Sequence, residues 1–177
     1  MASNAGNEAA QGQPTSITYV EMVSPAALVP SESKDPRFQV REATTKEWRF
    51  NRFLYQLVGE DWTWIDKLPW TPDQWRAYAE AEDLRTFVGY VDGSIAGYYE
   101  LHTGENRDVE IAIFGIAPKF VGRGYGGALL THAIRQAWAT GTSRVWLHTC
   151  TLDHPGALPN YLKRGFTIYS VESNPRA

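Results

Sequence analysis

The chain has 177 residues, 43% of them hydrophobic and 13% aromatic, with a formal charge of -3 at pH 7. That length buries a real core within one domain, and the apolar fraction is that of a globular protein. The mild acidity does not suit a nucleic-acid binder, no apolar run approaches the about 18 residues that span a bilayer, and the single cysteine, Cys150, has no internal disulfide partner, as expected of a reducing cytoplasm.

Residues 1–16, MASNAGNEAAQGQPTS, have neither a basic start nor an apolar stretch, so they read as a floppy tail ahead of a domain over 17–177. ITYVEM (17–22) reads as a short strand, SPAALVPSESKDP as a proline-rich connection, and FQVREA (38–43) alternates as a second strand does. From Thr45 to Leu57, Trp48, Phe53, Tyr55 and Leu57 mixed with Arg and Asn predict a helix that Gly59 ends. A second helix is predicted over Asp73 to Ala81, with Thr71 as N-cap and Pro72 at its first position. Between them, EDWTWIDKLPWTPDQW gathers Trp62, Trp64, Trp70 and Trp75 with Glu60, Asp61 and Asp66. This segment reads either as an aromatic, acidic wall for a cation or as core packing.

TFVGYV (86–91), a turn at Asp92 and Gly93, and SIAGYYELH (94–102) predict a hairpin. In DVEIAIFGIAP, Val109, Ile111 and Ile113 alternate with Glu110, Ala112 and Phe114, the period of a strand. A helix follows from Tyr125 to Thr140, burying Leu130, Ala133, Ile134, Ala137 and Trp138 and stopped by Gly141. RVWLHTC (144–150) is a strand, Pro155 to Arg164 a helix stopped by Gly165, and FTIYSV (166–171) a last strand. His102 and His132 show no partner and are expected on a loop and on a helix surface. The order predicts an α+β fold with at least one strand-helix-strand crossover.

Chemistry concentrates in FGIAPKFVGRGYGGALL (114–130). From Ile111 to Leu152 there is no Asp or Glu, while Lys119, Arg123, Arg135 and Arg144 fall inside, so an anion site is expected on an acidic protein. Gly122, Gly124 and Gly127 fit the letters G-x-G-x-x-G, but the acidic ribose ligand of a dinucleotide site is missing about twenty residues on. A nucleotide phosphate loop fails too, because Ala128 follows Gly126 and Gly127. What remains is a helix N-terminus whose unpaired N–H donors and partial positive charge suit a phosphate, or a turn whose glycines serve only positive φ.

The run FGIAPKFVGRGYG, Phe114 to Gly126, resembles the acyl-CoA signature of the GNAT superfamily of N-acetyltransferases. ALPNYLKRGF, Ala157 to Phe166, is similar to that family's Ala-x-x-x-Tyr-x-x-x-Gly-Phe ending, and the likeness runs from Phe87 to Tyr169. It implies a single-domain, mixed but mostly antiparallel sheet flanked by helices, with a bulge near Phe114 to Ile116 that splays the central strands. It also implies acetyl-CoA as co-substrate, held by Phe114, Ile116 and the turn Val121, Gly122, Arg123, Gly124, Tyr125, Gly126 and Gly127. Val121 departs from the family's Arg or Gln, and His154 stands where an Asn is common. The implied reaction is direct transfer of acetyl to a primary amine of a small molecule or peptide in the cytoplasm, with no metal, nucleic acid or membrane involved.

An alkylammonium must lose a proton before it attacks a thioester, and Glu110 is the candidate base, or else a solvated strand-edge carboxylate. The resemblance gives the oxyanion donor as the backbone N–H of Ile116 and the acid as Tyr161, which could equally be a core residue with its hydroxyl satisfied. Cys150 offers an acetyl-cysteine route. His148, Cys150, Asp153 and His154 form a compact set suited to zinc or to a hydrogen-bonded cluster that caps the last helix. The rival reading is a non-catalytic acyl-CoA-binding or regulatory module. An unpaired C-terminal strand is open to a homodimer contact.

Overall fold

Among the described residues, period-two runs fold as seven strands: β1 (Thr15–Met22), β2 (Phe38–Glu42), β3 (Leu84–Val91), β4 (Ser94–Thr103), β5 (Val109–Ile116), β6 (Val145–Cys150) and β7 (Thr167–Asn174). Four helices accompany them: α1 (Trp48–Gly59), α2 (Pro72–Ala79), α3 (Tyr125–Trp138) and α4 (Ala157–Lys163). The computed structural model describes residues 15–62 and 64–174. The tail expected over 1–16 thus lies outside the described residues, except for Thr15 and Ser16, which already belong to β1.

The strands form one sheet in the order β2-β3-β4-β5-β6-β1-β7. Every neighbouring pair is antiparallel except β5 and β6, which the α3 crossover joins in parallel. Asp92 and Gly93, with φ of 49° and 78°, make the tight turn of the β3–β4 hairpin. β7 is not unpaired: it lies along β1 from Thr15↔Asn174 to Glu21↔Thr167, which leaves only its outer edge open.

Each face of the sheet carries its own core, because successive strand residues point to opposite sides. On β4, Tyr99 and Leu101 meet α3, where Leu129, Leu130, Ala133, Ile134 and Ala137 are fully buried. Tyr98, between them, faces Leu54 and Val58 of α1. Burying a Leu or Ile of this kind stabilises by about 1.5–3 kcal/mol, so a charge at Leu130 or Ile134 would lift α3 from the sheet. His132, expected without a partner on the helix surface, is half-buried on α3 and has one: its Nδ1 sits 2.7 Å from the Tyr99 hydroxyl.

Helix ends follow their caps. α1 starts later than Thr45 because the Glu47 carboxylate takes the Arg49 N–H. α2 opens on the expected Thr71, whose side chain exchanges bonds with Gln74 in a capping box.

Two irregularities position the site. β5 pairs with β6 only at Val109↔Val145 and Glu110↔Trp146, after which the strands part. Against β4, Glu100 faces Ile113 while Leu101 faces Ile111, so Ala112 is the extra residue of a bulge. The bulge expected near Phe114 to Ile116 therefore lies earlier on the strand.

Candidate active site

The parting of β5 and β6 opens a cleft of about 1100 Å³ that reaches from the glycine turn to Asp83 and His102. Ile116 lines it. Ala117 donates its N–H to the Ala96 carbonyl, so Ala117 and Ala96 are a hydrogen-bonded pair and Ile116, one residue earlier, turns its own N–H away from β4. On that side β6 has already left, which leaves the Ile116 amide facing the opening. Gly97 permits the close β4–β5 approach at this level, since a Cβ there would fall on the Gly115 carbonyl oxygen, while Gly115 leaves room for Val58 of α1 and the Trp64 ring.

At the far end the chain turns through Pro118–Phe120 into α3, with Gly122 and Gly124 at φ of 76° and 87°. Gly124 is the N-cap of α3 and brings no capping side chain. The amides of Gly122 and Gly124 have no acceptor among the described residues, and those of Tyr125, Gly126 and Gly127 are the unpaired donors of a first helical turn. The expected run of free amides is narrower than the whole turn, because Val121 and Arg123 donate back to Pro118 and Phe120 at 3.3 and 3.4 Å. These donors, with glycine backbone exposed around them, fit a diphosphate.

Of the residues expected to hold acetyl-CoA, Phe114, Ile116, Val121, Gly122, Gly124, Tyr125 and Gly126 line the cleft. Arg123 is exposed with its guanidinium 5.7 Å from the Phe120 ring centre. Gly127 is a packing glycine: a Cβ there would come within 2.6 Å of Arg164 Nη1 and 2.8 Å of Ser31 Oγ. Tyr125 donates its hydroxyl to Asp35 at 2.7 Å and stacks on Phe38, which straps the β1–β2 connection to α3.

Glu110 points into the cleft with its side chain 19% exposed, its Oε1 3.6 Å from His148 Nδ1 and its Oε2 3.9 Å from His102 Nδ1. His102 was expected on a loop without a partner. It lies in β4 directly opposite Glu110, and its Nε2 is 3.2 Å from Asp83. The Glu110 carboxylate, against the opposing effect of burial, pushes the His148 imidazole above its ordinary range. Tyr161 is 5% exposed and lines the cleft with its ring edge-on to Phe114 and Phe166. Its hydroxyl has no protein partner among the described residues, and burial pushes the phenol well up, which keeps it protonated at neutral pH.

The tryptophan-rich segment divides. Trp62 and Trp64 line the cleft, with Trp62 edge-on to His154 at 4.9 Å, while Trp75 is 1% exposed in the core that joins α1 and α2. The cation seat on this wall is filled by the chain itself, since Lys67 Nζ lies 4.4 Å from the Trp70 ring centre and 4.6 Å from that of Tyr78. Burial pushes the Lys67 ammonium down.

Asp153 and His154 do not cap α4, whose N-cap is Gly156 with no side-chain bond. Asp153 instead accepts from the Thr149 hydroxyl and the Cys150 amide at 2.7 and 2.9 Å, and His154 Nδ1 accepts from the Gly156 amide. With His148 turned to Glu110, the four residues do not converge, and among the described residues no group of three or more His, Cys, Asp or Glu could hold a metal ion. Burial pushes the Cys150 thiol up, away from the thiolate.

Solved structures share this fold. A GCN5-related N-acetyltransferase from Sphaerobacter thermophilus superposes with a TM-score of 0.71 at 16% identity, over 91% of this chain and 51% of that one. An aminoglycoside acetyltransferase from an uncultured soil metagenomic sample gives 0.60 at 14%, over 75% and 90%. The chain belongs to the acetyltransferase (GNAT) family, which it matches over residues 51–166. A 77-residue stretch is 36% identical to uncharacterized N-acetyltransferases of Mycobacterium tuberculosis and Mycobacterium bovis. That stretch is 44% of this chain, and the match spans about half the length of those relatives, 49%.

Proposed function

We propose that the protein transfers an acetyl group from acetyl-CoA directly to a primary amine of a small molecule or peptide. The observation that carries this reading is the Ile116 amide, turned away from β4 at the point where β5 has left β6, on the same cleft as Glu110 and the glycine turn. Acetyl-CoA supplies the activated acyl carbon. The Gly122 and Gly124 amides and the first turn of α3 would hold its diphosphate, and the parted strands would admit the pantetheine arm.

Glu110 accepts the proton of the acceptor ammonium, so that the neutral amine attacks the thioester carbonyl. The Ile116 N–H, fixed by the β4–β5 ladder, donates to the oxygen that gains charge. The Tyr161 hydroxyl, held protonated by burial and without a protein partner among the described residues, returns a proton to the departing thiolate. With Lys67 seated on Trp70 and Tyr78, the acceptor's positive charge meets Asp66, Asp83 and Glu110 along the cleft instead of an empty aromatic box.

Thiol release from acetyl-CoA against a panel of amines, polyamines, amino acids, peptides and aminoglycosides tests the reading; the last are the acceptor class named for one structural neighbour. Turnover with at least one amine is expected, lowered about 10²-fold or more by Glu110→Gln. CoA binding by calorimetry without turnover on any amine, together with no effect of that substitution, would support the non-catalytic module instead.

A further inference from the structure

The bulge at Ala112 moves β5 by one residue against β4, and that shift is what brings Glu110 opposite His102. Without it, the register that sets Glu100 against Ile113 would place Ile111 there. On the other side Glu110 pairs with Trp146, and His148, two residues on, shares that face. Asp83 completes the row ahead of β3. The result is a single file of ionisable side chains, Asp83, His102, Glu110 and His148, with spacings of 3.2, 3.9 and 3.6 Å. The row is most enclosed at Glu110, 19% exposed, and opens at both ends, with His148 at 47% on one side and His102 at 40% and Asp83 at 50% on the other. At the His102 end the imidazole goes on to a carboxylate partner, Asp83, at the rim of the cleft.

A base in a confined cleft must lose the proton it has taken before it can act again. Imidazole suits that task, since it accepts at one nitrogen and releases from the other. The 3.9 Å gap between Glu110 and His102 is too long for a hydrogen bond and closes with a small side-chain swing. The other groups that face this row are Lys67 and Tyr78 from the helical side, Tyr19 of β1, whose ring lies 5.7 Å from that of His148, and Asp153 beyond β6. None of them lies between Glu110 and the exposed Asp83 as His102 does.

We propose that this row is a proton exit across the sheet. Resting on the assignment of Glu110 as base, the carboxyl passes the acceptor's proton to His102 Nδ1, and His102 releases its Nε2 proton to Asp83 and solvent. His102, 40% exposed, then regains its Nε2–H tautomer by proton exchange with solvent, so that over a turnover one proton enters and one leaves. On the opposite side His148 Nδ1 lies 3.6 Å from Glu110 Oε1, and the Glu110 carboxylate raises that imidazole against the effect of burial. His102 touches no reacting atom; it is a positioning residue that acts through Glu110.

The test combines kinetics with titration. Thiol release is measured over pH 6 to 9 with the fastest acceptor of the amine panel, or with water as acceptor, for His102→Ala, Asp83→Asn and Glu110→Gln. The expected result is a kcat about 10-fold lower in His102→Ala at unchanged KM for acetyl-CoA, restored by imidazole in the buffer, a smaller loss in Asp83→Asn, and a deeper loss in Glu110→Gln that imidazole does not restore. In parallel, the His148 ring resonances are followed by NMR against pH, and their midpoint falls in Glu110→Gln. Wild-type kcat and pH profile in His102→Ala, or a loss that imidazole leaves untouched, overturns the exit path while Glu110→Gln remains inactive. Full activity of Glu110→Gln removes the base assignment itself, and an unmoved His148 midpoint removes its pairing with Glu110.

Discussion

Gly97→Ala puts the β4–β5 contact and the oxyanion donor under one test. The added Cβ would fall on the Gly115 carbonyl oxygen and lie 2.9 Å from Ile116 Cδ1 and 3.1 Å from Ile116 Cα. Two of those neighbours are backbone atoms, which cannot rotate aside as a side-chain end can. β4 must step away from β5, at a cost of about 1–3 kcal/mol for overpacking. In a domain of this size each kcal/mol lowers the melting temperature by about 2–4 °C, so a fall of roughly 2–12 °C is expected by thermal unfolding. The same step displaces the Ile116 amide, and losing an aligned oxyanion donor lowers kcat by about 10²–10³. Gly104→Ala is the control: the nearest atom to its Cβ is the Asp108 carbonyl oxygen at 3.8 Å, so stability should change by less than about 0.5 kcal/mol. A Gly97→Ala protein that melts and turns over like the wild type would show that the strands have slack there and that the amide is not fixed by this contact.

Tyr161→Phe should lower kcat by at least about tenfold with little change in melting temperature, because the hydroxyl bonds no described protein group; equal kcat would remove it as the acid. Glu100 is 1% exposed, with Asn51 Nδ2 at 2.7 Å and the Tyr78 hydroxyl at 2.5 Å, and burial raises its carboxyl despite those bonds. A raised folded value means a contribution that is complete below the unfolded value and is lost as pH rises through the folded one. Glu100→Gln does not titrate, so its stability relative to the wild type, measured by urea unfolding from pH 4 to 8, should improve as pH rises. A difference that stays flat with pH would contradict the raised value.

Local chemistry made much of this molecule legible from residues alone. The Asp92-Gly93 turn announced the β3–β4 hairpin, the spacing of Leu130, Ala133, Ile134 and Ala137 announced the buried face of α3, and the glycines at 122 and 124 marked the α3 entrance. What stayed hidden depended on neighbours. Alternation in ITYVEM says which side of β1 is buried but not that it slots between β6 and β7. Four tryptophans in a short segment suggest a cation seat, yet whether Lys67 fills it is a question of three-dimensional packing. Glu110 stood out as a carboxylate in an apolar strand. Its link to His102 needed the Ala112 bulge, and one residue of register decides which side chains face each other.

The placement of β1 has a consequence for how the chain is made. Its Ser16 amide bonds Thr151, 135 positions downstream, and its Tyr19 hydroxyl bonds Glu172, 153 positions downstream. During synthesis this strand, with the apolar Val20 and Met22, emerges long before either partner exists. The hairpin half can assemble from near neighbours, but the other half must wait for the last segments and then close a very large loop. Nascent chains arrested before residue 145 would carry an orphan strand, an open invitation to pair with the wrong molecule.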